Sequence, residues 1–287
     1  MTMKLHKRKP DEGACDPTVY QSVIGSLMYA MTATRPDITY AIGVLSRYNH
    51  DPSKEHMVAR KHVFRYLTGT KDWRLRFGGT LGGALRRALR GEVEGALGCY
   101  VYSDYAGCPD DYKLTSGLVI TFCGAVNWRS RKQKSTAQST TDAEYYTFGV
   151  GCMRLTQTSH LLNKLGIPTI SPVFSESQSL IASIKNRIYR GTAVAHIATK
   201  YNFAADMARD GEIDLSYVLT AEMLADCITK PLLKPAFLKQ CAAIGMIGIG
   251  LRIGIGNGLR NGHGNGLRNG HGNGHGTGNS IGDAVGK

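Results

Sequence analysis

The order of the apolar runs between residues 98 and 232 is what most restricts this fold. CYVYSD, GLVITFCG and AVNWRS are short runs rich in β-branched and aromatic residues, and the second ends in a glycine turn. The period then changes. Helical spacing covers 141–164, followed by a short PVFS run, a helical SQSLIASIKN, a polar helical stretch, the strand-like IDLSYV and a last helix in AEMLADCIT. Closely linked strands pair antiparallel, whereas strands separated by helices can run parallel. The expected domain is therefore α/β, with three layers and a mixed five-stranded sheet.

Residues 19–70 read as three helices. VYQSVIGSLMYAMTA has apolar residues at helical spacing, and Arg35-Pro36-Asp37 opens the second helix with proline and an acid in its first turn. Asp51-Pro52 breaks the chain and leaves Ser53 to cap the third helix, which Gly69 closes. Met57, Val63, Tyr66 and Leu67 fall on its core side, and Lys54, Arg60, Lys61 and Arg65 on its wet side. A strand is expected at 75–77. Residues 1–18 are polar and expected to be poorly ordered. Residues 79–97 are a low-complexity Gly/Ala/Leu/Arg insertion, and 245–287 is a Gly/Asn/His/Arg-rich repeat with almost nothing to bury, expected to be disordered.

A formal net charge of +13 over 287 residues favours a polyanionic partner, most simply nucleic acid. The seven cysteines have neither CxxC pairing nor metal-ligand spacing, which suits reduced thiols inside a cell. The basic N-terminus has no apolar run behind it, and no run approaches a membrane span. The expectation is an intracellular protein, cytoplasmic or nuclear, that is neither secreted nor in a membrane.

Four carboxylates, Asp104, Glu144, Glu176 and Asp226, are far apart in sequence but fall near the ends of the expected elements. Such a set makes sense as one cluster, and clustered carboxylates bind hard divalent cations. Each also has a local reading. Asp104 can end a strand, Glu144 can complete a capping box with Thr141, and Glu176 can favour a helix N-terminus. Asp226 inside a helix has poor propensity and needs another reason.

The segments YSDYAGCPDDYKLTSG, NWRSRKQKSTAQSTTDAEY, SESQSLIASIKN and GEIDLSYVLTAEMLADCITKPL, in that order, resemble the ribonuclease H domain that closes the Pol polyprotein of Ty1/copia-type retrotransposons. YQSVIGSLMYAMTATRPDITYAIGVLSRY and KHVFRYLTGTKD resemble the connection that follows reverse transcriptase in the same polyproteins. The resemblance spans residues 19–235. It implies a ribonuclease H-like domain over 98–235 and a helical connection over 19–78, with the polymerase region itself missing from this chain. It also implies cleavage of the RNA strand of an RNA–DNA hybrid with two Mg²⁺ or Mn²⁺ ions about 3.5–4 Å apart.

Matched residue by residue, the resemblance places Tyr102 where the family has its first aspartate, with Asp104 two residues along the same strand face, ~6.8 Å away. Glu144 fills the second position and is preferred to Asp142; Glu176 replaces a shorter aspartate in the third; Asp226 matches the fourth. A phenol cannot replace a bridging carboxylate. His196 survives from a longer family motif whose charged neighbours are alanine here, and it is given no role in proton transfer. Arg129, Arg131, Lys132 and Lys134 around Trp128 form a basic patch suited to backbone phosphates. The reading is a Pol fragment with an impaired ribonuclease H domain. The alternatives are a non-catalytic hybrid-binding module and a relic of a decayed element.

Overall fold

The computed structural model describes residues 5–77, 95–104, 110, 113–133, 140–167, 169–189 and 195–248. All of them belong to one compact unit. Lys134, most of the 79–97 stretch and the repeat tail beyond Gly248 lie outside the described residues, as do the side chains of Thr141 and His196.

The expected helical region forms first. In α1 (Pro17–Ala33), Asp16 caps by accepting from the Thr18 amide, and Tyr20, Ile24 and Leu27 recur at helical spacing on the buried face. A 3₁₀ turn at Pro36–Ile38 runs into α2 (Thr39–Leu45), and α3 (Lys54–Gly69) begins at the Ser53 cap. His56 completes that capping box: its ring accepts from the Ser53 amide at 2.8 Å. Val63 is buried in the shared core with Tyr20, Ile24, Ile42 and Leu45, and Met57, Tyr66 and Leu67 pack against it. Leu5 joins the same core and its carbonyl accepts from Tyr48, so residues 5–18 are tied down more firmly than their polar composition suggests.

The main sheet contains β2 (Gly95–Asp104), β3 (Thr115–Phe122), β4 (Ala125–Lys132), β6 (Pro172–Ser175) and β7 (Asp214–Tyr217), in the order β4-β3-β2-β6-β7. The two-residue β5 (Thr169–Ile170) pairs parallel with the start of β2. β2, β3 and β4 pair antiparallel, and β6 and β7 lie parallel on the other side of β2. The expected mixed sheet and its sequence of antiparallel and parallel strands are therefore observed. Cys123 and Gly124, both at positive φ, make the tight β3–β4 turn.

Alternation along β2 sends Leu97, Cys99 and Val101 to one face. There they meet α4 (Thr140–Lys164), α5 (Gln178–Lys185) and α6 (Ala195–Arg209) through Phe148, Cys152, Leu155, Leu180 and Ala204. Tyr100 and Tyr102 go to the opposite face, against Met223, Ala225, Ile228 and α7 (Lys234–Ala243). The sheet thus has a layer on each side, as a three-layer fold requires.

Three details differ from the sequence expectations. Asp226 is in a 3₁₀ turn, Leu224–Ile228, and not in a helix. All five residues of that turn are buried, as is Met223 before it, and a one-faced α-helix cannot bury six successive residues. The strand expected at 75–77 is β1 (Arg74–Leu75). Its partner is β8 (Met246–Ile247), so the fold continues past Gly245 into the first residues assigned to the tail, and Met246 is fully buried.

Candidate functional site

Two glycines let the elements of the site approach one another. A side chain at Gly117 on β3 would run into the Thr229 methyl, so its absence lets the Asp226 turn lie on the sheet. A side chain at Gly151 would strike Val101, so its absence brings α4, which carries Glu144, close to β2. The start of α4 is also fixed by a polar network. Gln133 donates to Ser116 at 2.7 Å and to the Ala143 carbonyl at 3.3 Å, and the Ser116 and Thr147 hydroxyls are 2.6 Å apart. Gln133 lies within the NWRSRKQKSTAQSTTDAEY segment that carries the family resemblance, but no role was assigned to it from sequence.

Tyr102, Glu144 and Glu176 line one cavity of ≈ 200 Å³ with Ser175 and Ser177. Burial raises the carboxyl of Glu144 above its ordinary range; a bond from Ser177 opposes this and the charge of Glu176 adds to it. Asp142, the rejected alternative, is fully buried and is felt electrostatically by Tyr189 on the helical side of the sheet.

Asp226 lies beside Tyr102 with its side chain 3% exposed. Its Oδ2 is 2.9 Å from Lys230 Nζ, and that ammonium is also 3.3 Å from the Tyr102 hydroxyl and 4.3 Å from its ring centroid. Burial pushes the Asp226 carboxyl up to about 6; Lys230 opposes the shift, and the charges of Glu176 and Asp104 add to it. Asp104 ends β2 opposite Thr115. Its carboxyl is raised by burial and lowered in part by Lys230 and Arg47. All four acids therefore belong to one electrostatic neighbourhood, linked through Glu176, Tyr102 and Lys230. Neither Lys230 nor Arg47 was assigned a role from sequence. Both lie in segments that carry the family resemblance, and Lys230 is four residues from Asp226.

The neighbourhood does not fit two metal ions. Among the described residues, no three acidic, histidine or cysteine side chains are grouped so as to hold one. Tyr102 supplies a phenol whose burial keeps its proton on more firmly than usual, and an ammonium occupies Asp226 Oδ2. The buried oxygens without a partner there are Glu176 Oε2 and Asp226 Oδ1.

Arg129, Arg131 and Lys132 line a separate groove of ≈ 360 Å³ with Ser116, Tyr146 and Val150. It runs along the edge strand and shares Thr147 with the acidic cavity. Trp128, just before the basic run, packs inward instead.

The strand order, with three antiparallel strands and two added parallel, defines a protein of the ribonuclease H-like fold class. No family model matches the chain. It is 34% identical over 240 residues to the retrovirus-related Pol polyprotein of transposon RE2 from Arabidopsis thaliana, covering 82% of this chain and 15% of that one. It is 36% identical over 222 residues to the corresponding polyprotein of transposon TNT 1-94 from Nicotiana tabacum, covering 77% and 16%. The chain belongs with the Pol polyproteins of Ty1/copia-type retrotransposons and spans about a sixth of the length of these relatives. Among solved structures, an N-terminal ribonuclease H domain from Mycobacterium tuberculosis overlaps 52% of this chain and 99% of its own, at 15% identity and a TM-score of 0.35. That overlap adds nothing to the strand order. Among the described residues, no helix is long and apolar enough to cross a membrane.

Proposed function

We propose that residues 98–235 form a ribonuclease H-like domain that binds an RNA–DNA hybrid and is impaired in cleaving it, and that 19–78 are its reverse-transcriptase connection. The observation that carries this reading is Tyr102, which lines one cavity with Glu144 and Glu176 and shares the Lys230 ammonium with Asp226. Two-metal hydrolysis of a phosphodiester needs an anionic oxygen to bridge the ions, and a protonated phenol does not provide one. Binding makes smaller demands. Arg129, Arg131 and Lys132 along an edge-strand groove suit phosphates and give affinity without reading sequence. The +13 formal charge of the chain supports the same partner.

The test uses a labelled hybrid, with affinity measured by anisotropy and cleavage in Mg²⁺ and then Mn²⁺, beside a Glu144→Gln control. Salt-sensitive binding with no Glu144-dependent cleavage is expected. Cleavage that disappears in the control would overturn the impairment, and a folded protein with no affinity for hybrid would overturn the binding.

A further inference from the structure

We propose that the Lys230 ammonium is the resident cation of the acidic neighbourhood, neutralising Asp226 beneath Tyr102 and closing that position to a divalent ion. The inference rests on reading the cleft as a ribonuclease H-type acidic site, and it concerns what fills the site in this chain.

Three contacts converge on one atom. Lys230 Nζ is 2.9 Å from Asp226 Oδ2, 3.3 Å from the Tyr102 hydroxyl and 4.3 Å from the centre of the Tyr102 ring. The first is a charge-assisted bond to a carboxylate that is almost wholly buried. The second gives the phenol a polar partner. The third puts a compact cation over an electron-rich ring. Lys230 is held in place by its own backbone, whose amide donates to the Asp226 carbonyl at 3.1 Å. Thr229 next to it is anchored to the Ala225 carbonyl at 2.9 Å. The lysine side chain is 24% exposed, so the charge is partly desolvated and screened less than a surface pair.

The same geometry disfavours a metal. A magnesium ion needs near-octahedral oxygen ligands at about 2.1 Å and keeps its waters tightly. Here one oxygen of Asp226 is engaged by the ammonium, and a divalent ion at the free Oδ1 would share one carboxylate with a positive charge. An aromatic ring at position 102 and the lysine thus complement each other. The ring lacks the charge that would draw in a metal, and the lysine provides the charge that Asp226 needs. Asp226 thus has its counter-charge without a metal, so hybrid binding should not depend on one.

Mn²⁺ uptake, followed by loss of the free-ion resonance in electron paramagnetic resonance, tests this on the full chain. Wild type should take up no more Mn²⁺ than Asp226→Asn, and hybrid affinity should be equal in Mg²⁺ and in chelator. Tyr102→Asp/Lys230→Met should bind Mn²⁺ about 10- to 100-fold more tightly than wild type. Mn²⁺ uptake by wild type that Asp226→Asn abolishes would overturn the proposal, whether or not the double variant folds. So would a folded double variant that binds no more metal than wild type. Absent hybrid binding would count against the proposed function alone, because metal uptake is read without nucleic acid.

Discussion

The indole N–H of Trp128 donates to the carbonyl of Met31 at 2.9 Å, joining residues 97 apart in sequence. The bond holds the end of α1 against edge strand β4. Arg47, just beyond α2, reinforces the contact by donating to the Thr115 hydroxyl at 3.1 Å. The two bonds tie the helical segment to the β3–β4 hairpin. They also place Arg47 where its charge reaches Asp104.

Behind this contact is a buried ion pair whose loss should be costly. Arg35 Nη2 is 2.7 Å from Asp37 Oδ2, the Tyr66 hydroxyl donates to the same oxygen at 2.7 Å, and Arg35 also reaches the Thr70 hydroxyl at 2.7 Å. Asp37→Asn leaves a buried guanidinium without its counter-charge. The expected loss is about 3–5 kcal/mol in urea denaturation. Tyr66→Phe removes one bond and should cost about 1–3 kcal/mol.

Gly117 and Thr229 form a second test pair. Gly117→Ala puts a methyl against the Thr229 methyl and should destabilise by about 1–3 kcal/mol. Adding Thr229→Ser removes the opposing methyl but retains the hydroxyl that bonds the Ala225 carbonyl. The double variant should recover most of the loss, and a double-mutant cycle measures the coupling. Simple additivity would mean that the turn had moved elsewhere.

Asp226 predicts a pH dependence of definite sign. Its folded carboxyl sits at about 6 against an ordinary 3.8, so the folded state holds this proton where the unfolded state has released it. The stability it contributes is complete below about pH 4 and is lost as pH rises through 6. In metal-free buffer, wild type should lose on the order of 2 kcal/mol more than Asp226→Asn between pH 4 and 7. Parallel pH profiles for the two proteins would contradict this.

Arg129 and Arg131 should govern affinity for hybrid through salt. If each meets a phosphate, Arg129→Ser/Arg131→Ser lowers the slope of log affinity against log salt by roughly 1.5 and weakens binding across sequences alike. Titrations at several salt concentrations measure the slope. An unchanged slope would exclude this groove as the phosphate track.

Period and punctuation in the sequence placed the elements well. The α4 helix, the β3–β4 turn at Cys123-Gly124 and the Ser53 cap are local features, and each is stabilised mainly by residues a few positions away. The family motifs likewise identified Tyr102, Glu144, Glu176 and Asp226 without reference to their distances. What the sequence could not convey is which atoms meet. The 3₁₀ form of the Asp226 turn depends on burial between the sheet and α7. The β1–β8 pair joins the segment that follows α3 to the last residues of the described fold. The Lys230 contact with Tyr102 spans 128 residues and depends on the missing side chain of Gly117. Local propensity decides where helices and strands begin and end, because it acts over neighbouring residues. The partner of a buried charge is decided by packing between remote segments, and that is a property of the tertiary structure alone.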